Sequence, residues 1–204
     1  MTQTAFYRGL EAAQQALQDL EPAASPDDWV ARAAAVARKL DAHAAATPDA
    51  GRAACRPGCA HCCRHPVGVT LAEALALRAA IDQLPADASQ QLRARVRRSA
   101  LATAARSWAE LAREPCPLLA ADRCAVYAAR PLPCRGWRSA DADACAAAAA
   151  EVPFDREAFL LALGAAQALG ASDPAPRELR AALAAVLDAA DPAAAFARAR
   201  LAGG

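Results

Sequence analysis

A chain of 204 residues is the size of one domain, and its formal net charge of +1 provides no general field for polyanions. The hydrophobic fraction of 56% overstates the core, because alanine supplies roughly a third of the chain and aromatics only 4%. No stretch reaches the roughly eighteen uninterrupted apolar residues of a membrane span, and Met1–Arg8 lacks a basic-then-apolar leader, so the chain reads as soluble and cytoplasmic.

A buried alanine methyl removes far less area from water than a leucine side chain, so a thin core is expected and a metal cross-link would add stability. The expected organisation is one domain over residues 1–204. Its cysteine-cluster core spans 55–145 and is flanked by helical segments at 1–47 and 155–201.

Phe6, Leu10, Ala13, Leu17 and Leu20 recur at helical spacing over residues 4–20. Ser25-Pro26-Asp27-Asp28 then supplies an N-cap, a first-turn proline and acids for the positive end of a helix dipole. That helix carries Trp29, Ala33, Val36, Leu40 and Ala44 on one face and runs to about residue 46, where Thr47-Pro48-Asp49-Ala50-Gly51 turns it into a cysteine loop.

After the loop, Pro66–Val69 is extended. Thr70-Leu71-Ala72-Glu73 is a capping box opening a helix to about Gln83, buried through Leu71, Leu75, Leu77 and Ile81. A further helix is expected from Ser89 to Arg113, with Leu92, Val96, Leu101, Trp108 and Leu111 inward. Its Arg93, Arg95, Arg97 and Arg98 read as a solvated face; without interleaved aromatics they give no support to nucleic-acid binding.

Two short apolar runs around Ala121-Asp122-Arg123 predict a small β-hairpin. Pro131 and Pro133 predict a non-helical segment over Arg130–Arg135. Helices follow over Asp155–Leu169 (Phe159, Leu160, Leu163 and Leu169 inward), over Pro176–Ala189 (Leu179, Leu183, Val186 and Leu187 inward), and from Asp191-Pro192. The fold class is mainly α: helices packed around an irregular cysteine-rich metal-binding centre, with a short hairpin.

The chemistry lies in the thiols. Cys55, Cys59, Cys62 and Cys63 occupy nine residues, and Cys116, Cys124, Cys134 and Cys145 fall within thirty. In a reducing compartment such clustering favours metal ligation over disulfides. Cys59-Ala60-His61-Cys62 has the spacing of a chelating turn, with Pro57-Gly58 providing the reversal before it.

Cys62 and Cys63, being adjacent, are expected to point apart and to serve different ions or a bridging position. Eight thiolates allow two zinc sites, or one iron–sulfur cluster with four cysteines left over. His61 and His65 are alternative nitrogen ligands, and Arg64, Arg123, Arg130 and Arg135 are candidates to offset thiolate charge.

The run Cys55–Cys63, then Cys116-Pro117-Leu118-Leu119, Cys124-Ala125-Val126-Tyr127 and Arg130-Pro131-Leu132-Pro133-Cys134-Arg135, resembles the YkgJ-type cysteine-cluster family of the CxxCxxCC type. Cys145 takes the place of that pattern's last cysteine. The resemblance implies a zinc- or iron-chelating domain with metal ligands among Cys55, Cys59, Cys62, Cys63, Cys116, Cys124, Cys134 and Cys145. A related cluster associated with flagellin lysine methylation implies, by analogy only, an iron–sulfur enzyme.

Three functions follow: a module chelating zinc or iron, an iron–sulfur enzyme or redox protein, and a thiol–disulfide switch. Tyr127, His61, His65 and Asp122 are the polar groups an enzyme would draw on, but no catalytic residue is assigned. Tyr127 is expected to pack over the cluster loop.

Overall fold

The computed structural model describes residues 2–46, 53–55, 58–112, 114–147, 154–171 and 175–203. The expected turn at 47–51, Pro57 and Arg113 lie outside them. The order is α1 (Thr2–Leu17), α2 (Pro26–Ala46), β1 (Gly68–Val69), α3 (Leu71–Asp82), α4 (Ala86–Ala102), β2 (Leu119–Ala120), β3 (Arg123–Cys124), α5 (Leu132–Gly136), α6 (Ala142–Ala147), α7 (Arg156–Leu169), β4 (Arg177–Glu178), α8 (Leu179–Val186) and α9 (Pro192–Ala197). The chain is mainly α, as its periodicity predicts.

Local chemistry sets several helix starts. The Ser25 amide donates to Asp28 at 2.8 Å and the Asp28 amide donates back to the Ser25 hydroxyl at 3.2 Å, which opens α2. Thr70 and Glu73 form the full reciprocal box at the start of α3. Asp155, Glu178 and Asp191 each accept an amide at the starts of α7, α8 and α9.

Two apolar clusters result. One joins α3, α4, α8 and α9 through Leu75, Leu77, Ile81, Leu92, Val96, Leu183, Val186 and Phe196, and Cys116 and Cys124 pack against it. The other joins α1, α2, α5 and α7 through Ala13, Val36, Leu40, Leu132, Leu161 and Leu169. Trp29 touches both.

The α1–α7 contact shows how an alanine-rich chain compensates for small side chains. A Cβ on Gly9 would lie 1.9 Å from the Leu161 carbonyl oxygen, and one on Gly164 would lie 1.9 Å from that of Phe6. The two helix backbones therefore touch directly, and close approach replaces side-chain bulk.

Four expectations are corrected. The helix expected to reach Arg113 ends at Ala102, and Leu101 is 81% exposed. The Thr103 hydroxyl turns back to the Ser99 carbonyl, Arg200 takes the Thr103 and Arg106 carbonyls, and Ser107 with Glu110 starts a separate 3-10 turn.

The proline-rich segment forms α5, because Pro131 is its N-cap and Pro133 lies in the first turn, where no N–H is required. The buried stripe of α7 is Leu161, Ala162, Ala165 and Leu169, rotated from the expected Phe159, Leu160 and Leu163. The helix expected from Pro176 begins at Leu179, because Arg177 and Glu178 pair with Val69 and Gly68 in an antiparallel bridge.

Candidate metal centre

The first cysteine loop is tied down from outside. The Ala54 amide donates to the Ser139 carbonyl at 2.8 Å, and the Ser139 amide donates to Cys55 Sγ at 3.4 Å. Gly58 has φ +93°, a conformation that side chains disfavour, and so provides the expected reversal. His61–Arg64 then wind into a 3-10 turn, closed by Cys63 N–H to the Ala60 carbonyl at 3.0 Å and by His65 N–H to the Cys62 carbonyl at 3.1 Å.

The second cysteine segment docks on that turn. The Cys116 amide donates to the Cys63 carbonyl at 2.8 Å, joining two parts of the chain 53 residues apart. The β2–β3 hairpin pairs Leu119 with Cys124 and turns through Ala121 (φ 46°) and Asp122 (φ 56°), two consecutive left-handed residues of the kind that suits strand twist. The hairpin thus places Cys124 near Cys116. Cys134 sits on α5, and the buried Cys145 sits on α6, which packs against the 3-10 turn.

Two buried carboxylates hold this arrangement, and the sequence reading missed both roles. Glu73 accepts the Leu132 amide at 2.7 Å as well as the Thr70 amide at 2.8 Å, tying α3 to the first turn of the Cys134 helix. Burial pushes its carboxyl up, against the hydrogen bonds and Arg135, which pull it down. Glu178 is fully buried and accepts from Arg180 at 2.9 Å; Arg180 in turn donates to the Glu114 and Pro115 carbonyls, immediately before Cys116. The capping box made Glu73 visible as a helix start, but nothing local marks its bond to Leu132.

The thiols feel one another. A hydrogen bond between Cys62 and Cys63 holds Cys62 down at about 7 and drives Cys63 far up. Burial raises Cys116 to about 11 and raises Cys124 and Cys134, with further repulsion among these cysteines. Burial also raises Cys55, and charge repulsion from Cys59, Cys62 and Cys145 adds to it.

The other candidates divide. Arg130 is the cation sensed by Cys62 and Cys124. Arg135 faces away: it donates to the Arg130 and Ala128 carbonyls and to Asp41. His65 stacks on Trp137 at 4.7 Å within an aromatic group that includes Phe154 and Phe159, and burial lowers its pKa. Tyr127 is 60% exposed with the Arg130 guanidinium 4.0 Å over its ring, so it does not pack down on the cluster loop.

None of the eight cysteines, all within the described residues, is in a disulfide. Among the described residues no three Cys, His, Asp or Glu side chains converge closely enough to hold a metal ion. The donor set nevertheless fits zinc or iron in kind: soft sulfur ligands, partly withdrawn from water, on short turns with an adjacent arginine.

A cleft of about 660 Å³ lies beside the centre, lined by α2, α3 and residues 125–130 with Glu73, Leu132 and Arg135, and no cysteine lines it. Among the described residues no helix is long and apolar enough to cross a membrane.

Residues 54–152 match the model of the family CxxCxxCC, described as "Putative zinc- or iron-chelating domain", the family that the cysteine spacing resembles. No curated protein and no solved structure matches the chain.

Proposed function

We propose that this chain, whose residues 54–152 match the zinc- or iron-chelating CxxCxxCC family, binds metal tightly through cysteine thiolates, without catalysing a reaction at the metal. The ligands are Cys55, Cys59, Cys62, Cys63, Cys116, Cys124, Cys134 and Cys145. The observation that carries this reading is the Cys116 to Cys63 backbone bond, which seats the second cysteine segment on the first. Bound zinc or iron would supply a cross-link between these segments, the staple that a small-residue core calls for.

The cleft weighs against an enzyme centred on the metal. Residues 125–130 line it and no cysteine does, so a molecule held there would meet Tyr127 and Arg130 rather than sulfur.

We also read the 204 residues as one domain, because α5 of the cysteine core packs on α7 and α2 of the flanking helices. The cytoplasm suits eight cysteines without a disulfide. Nucleic acid is not a proposed partner: Arg93 is engaged by Asp82 and Asp188, Arg97 by Asp188, and Arg95 by the Pro117 carbonyl.

The test is the metal content and visible spectrum of protein purified without oxygen. Colourless protein holding zinc supports chelation. Brown protein with iron and acid-labile sulfide would transfer the reading to an iron–sulfur protein. Metal-free protein with reactive thiols would leave a second reading, a thiol–disulfide switch, which the lowered pKa of Cys62, about 7, favours.

A further inference from the structure

The cleft lined by α2, α3 and the 125–130 turn comes from the same alanine excess as the α1–α7 contact, with the opposite outcome. Where α1 meets α7, glycines let the two backbones close up. Neither α2 nor α3 contains a glycine. One contributes Ala33, Ala34 and Ala37 to the cleft, the other Ala76, Ala79 and Ala80. Alanine methyls fill little of the space between two helices, and about 660 Å³ is left. Ligand sites occupy roughly 300–1,000 Å³.

The cleft is polarised along its length. Val30 and Leu84 line it where both pack against the apolar cluster of α3, α4, α8 and α9. The other end is set by α5: Arg135 pairs with Asp41 of α2, and the Leu132 amide donates to Glu73 of α3. Between Val30 and Asp41 the axis of α2 rises about 16 Å. Spread over that length, the volume corresponds to a cross-section of roughly 40 Å², too narrow to seat a helix about 10–12 Å across.

The charged end holds three guanidinium groups, Arg38, Arg130 and Arg135, against two carboxylates, Asp41 and Glu73. Arg135 is buried and engaged by Asp41 and by the carbonyls of Ala128 and Arg130. Among the described residues neither Arg38 nor Arg130 pairs with a carboxylate. Arg130 donates to the Tyr127 carbonyl at 3.3 Å and lies over that exposed ring. A surplus of one positive charge at the head of an apolar channel suits a single negative charge. A carboxylate also matches the two-pronged guanidinium fork.

We propose that this cleft binds a linear amphipathic carboxylate, with its acyl chain between the alanine faces of α2 and α3 and its head on Arg38 and Arg130. No cysteine lines the cleft, so this site is separate from the thiols.

The test is equilibrium dialysis of labelled decanoate, below its micelle-forming concentration, against the full chain as purified. One decanoate should bind per chain. Decanol, with the same tail and no charge, should bind at least tenfold more weakly. Arg38→Gln, a change at an exposed residue, should weaken decanoate about tenfold and leave decanol unchanged. Ala34→Phe, on the wall but outside both apolar clusters, should abolish the binding of both.

Equal affinity for decanoate and decanol would remove the charged head from the site and overturn the proposal. Wild-type protein without saturable uptake would do the same, as would uptake that Ala34→Phe leaves intact. A dimer that takes up no decanoate and is split by Ala34→Phe would overturn it in favour of a second copy of the chain. The comparison of the two probes needs only wild-type protein, so a variant that fails to fold does not decide the matter.

Discussion

Glu73 is a capping residue whose second carboxylate oxygen serves a different helix. One oxygen takes Thr70 and the other takes the Leu132 amide. Glu73→Gln keeps the size but aims an NH₂ group at one of these donors. The loss of a satisfied buried donor should cost about 1–3 kcal/mol in urea denaturation. Because Leu132 opens the helix of Cys134, the same variant should bind zinc more weakly in a chelator competition; unchanged affinity would show that α5 holds its position without this tie.

Arg180 makes the complementary case. Arg180→Met would leave Glu178, fully buried, with Arg200 as its remaining ion-pair partner, and would release the Glu114 and Pro115 carbonyls before Cys116. Breaking a buried pair from one side costs about 3–5 kcal/mol, and Arg200 places this one near the lower end. A loss below about 1 kcal/mol in the same denaturation experiment would mean that water reaches Glu178 in the variant.

At the scale of elements, what the sequence reveals depends on whether the deciding contact is local. The α3 capping box, the α2 start and the hairpin are each decided within a few residues, and each forms where the pattern predicts. The Ser107-x-x-Glu110 restart was equally local, and its signature should have stopped the fourth helix short of residue 113. Arg200, which secures that break, arrives from the far end of the chain and leaves no local mark. The pairing of Gly68 with Glu178 is hidden for the same reason.

Gly164 tests the packing logic of α1 and α7. In an isolated helix Gly→Ala gains about 1 kcal/mol. Here the new methyl would press on the Phe6 carbonyl, and overpacking costs about 1–3 kcal/mol or more. Backbone cannot yield as a flexible side chain would, so clash wins. Gly164→Ala should lower the thermal midpoint; a rise would mean that the two helices separate easily and that their close contact adds little.

Across the whole molecule, the cysteine centre lies where the two apolar clusters meet. Cys116 and Cys124 pack against the cluster of α3, α4, α8 and α9, whereas the α5 helix of Cys134 adds Leu132 to the cluster of α1, α2 and α7. The thiols were legible as a metal centre because cysteine clustering is a compositional signal. The contacts that tie the cysteine segments down were not, because Ser139 and the Cys63 carbonyl, which make them, are ordinary residues in sequence.

Metal at this junction should couple cluster stability to thiol protonation. Cys116 sits at about 11, and Cys63, Cys124 and Cys134 are also raised, so these thiols carry protons in the metal-free protein near neutrality. Zinc must displace those protons, so its affinity should increase from about pH 6 to about pH 8 and fall on acidification. Proton release can be read by calorimetry in buffers of different ionisation enthalpy. Affinity independent of pH would exclude the cysteines as ligands.

Hydrogen exchange on the same samples locates the consequence. Stripping the metal should speed exchange at 58–65, 116–134 and 139–147, where sulfur contacts replace core. The α1–α7 pair, held by direct backbone packing, should stay protected. Uniform loss of protection would instead mean that the metal holds both clusters together and that neither half stands without it.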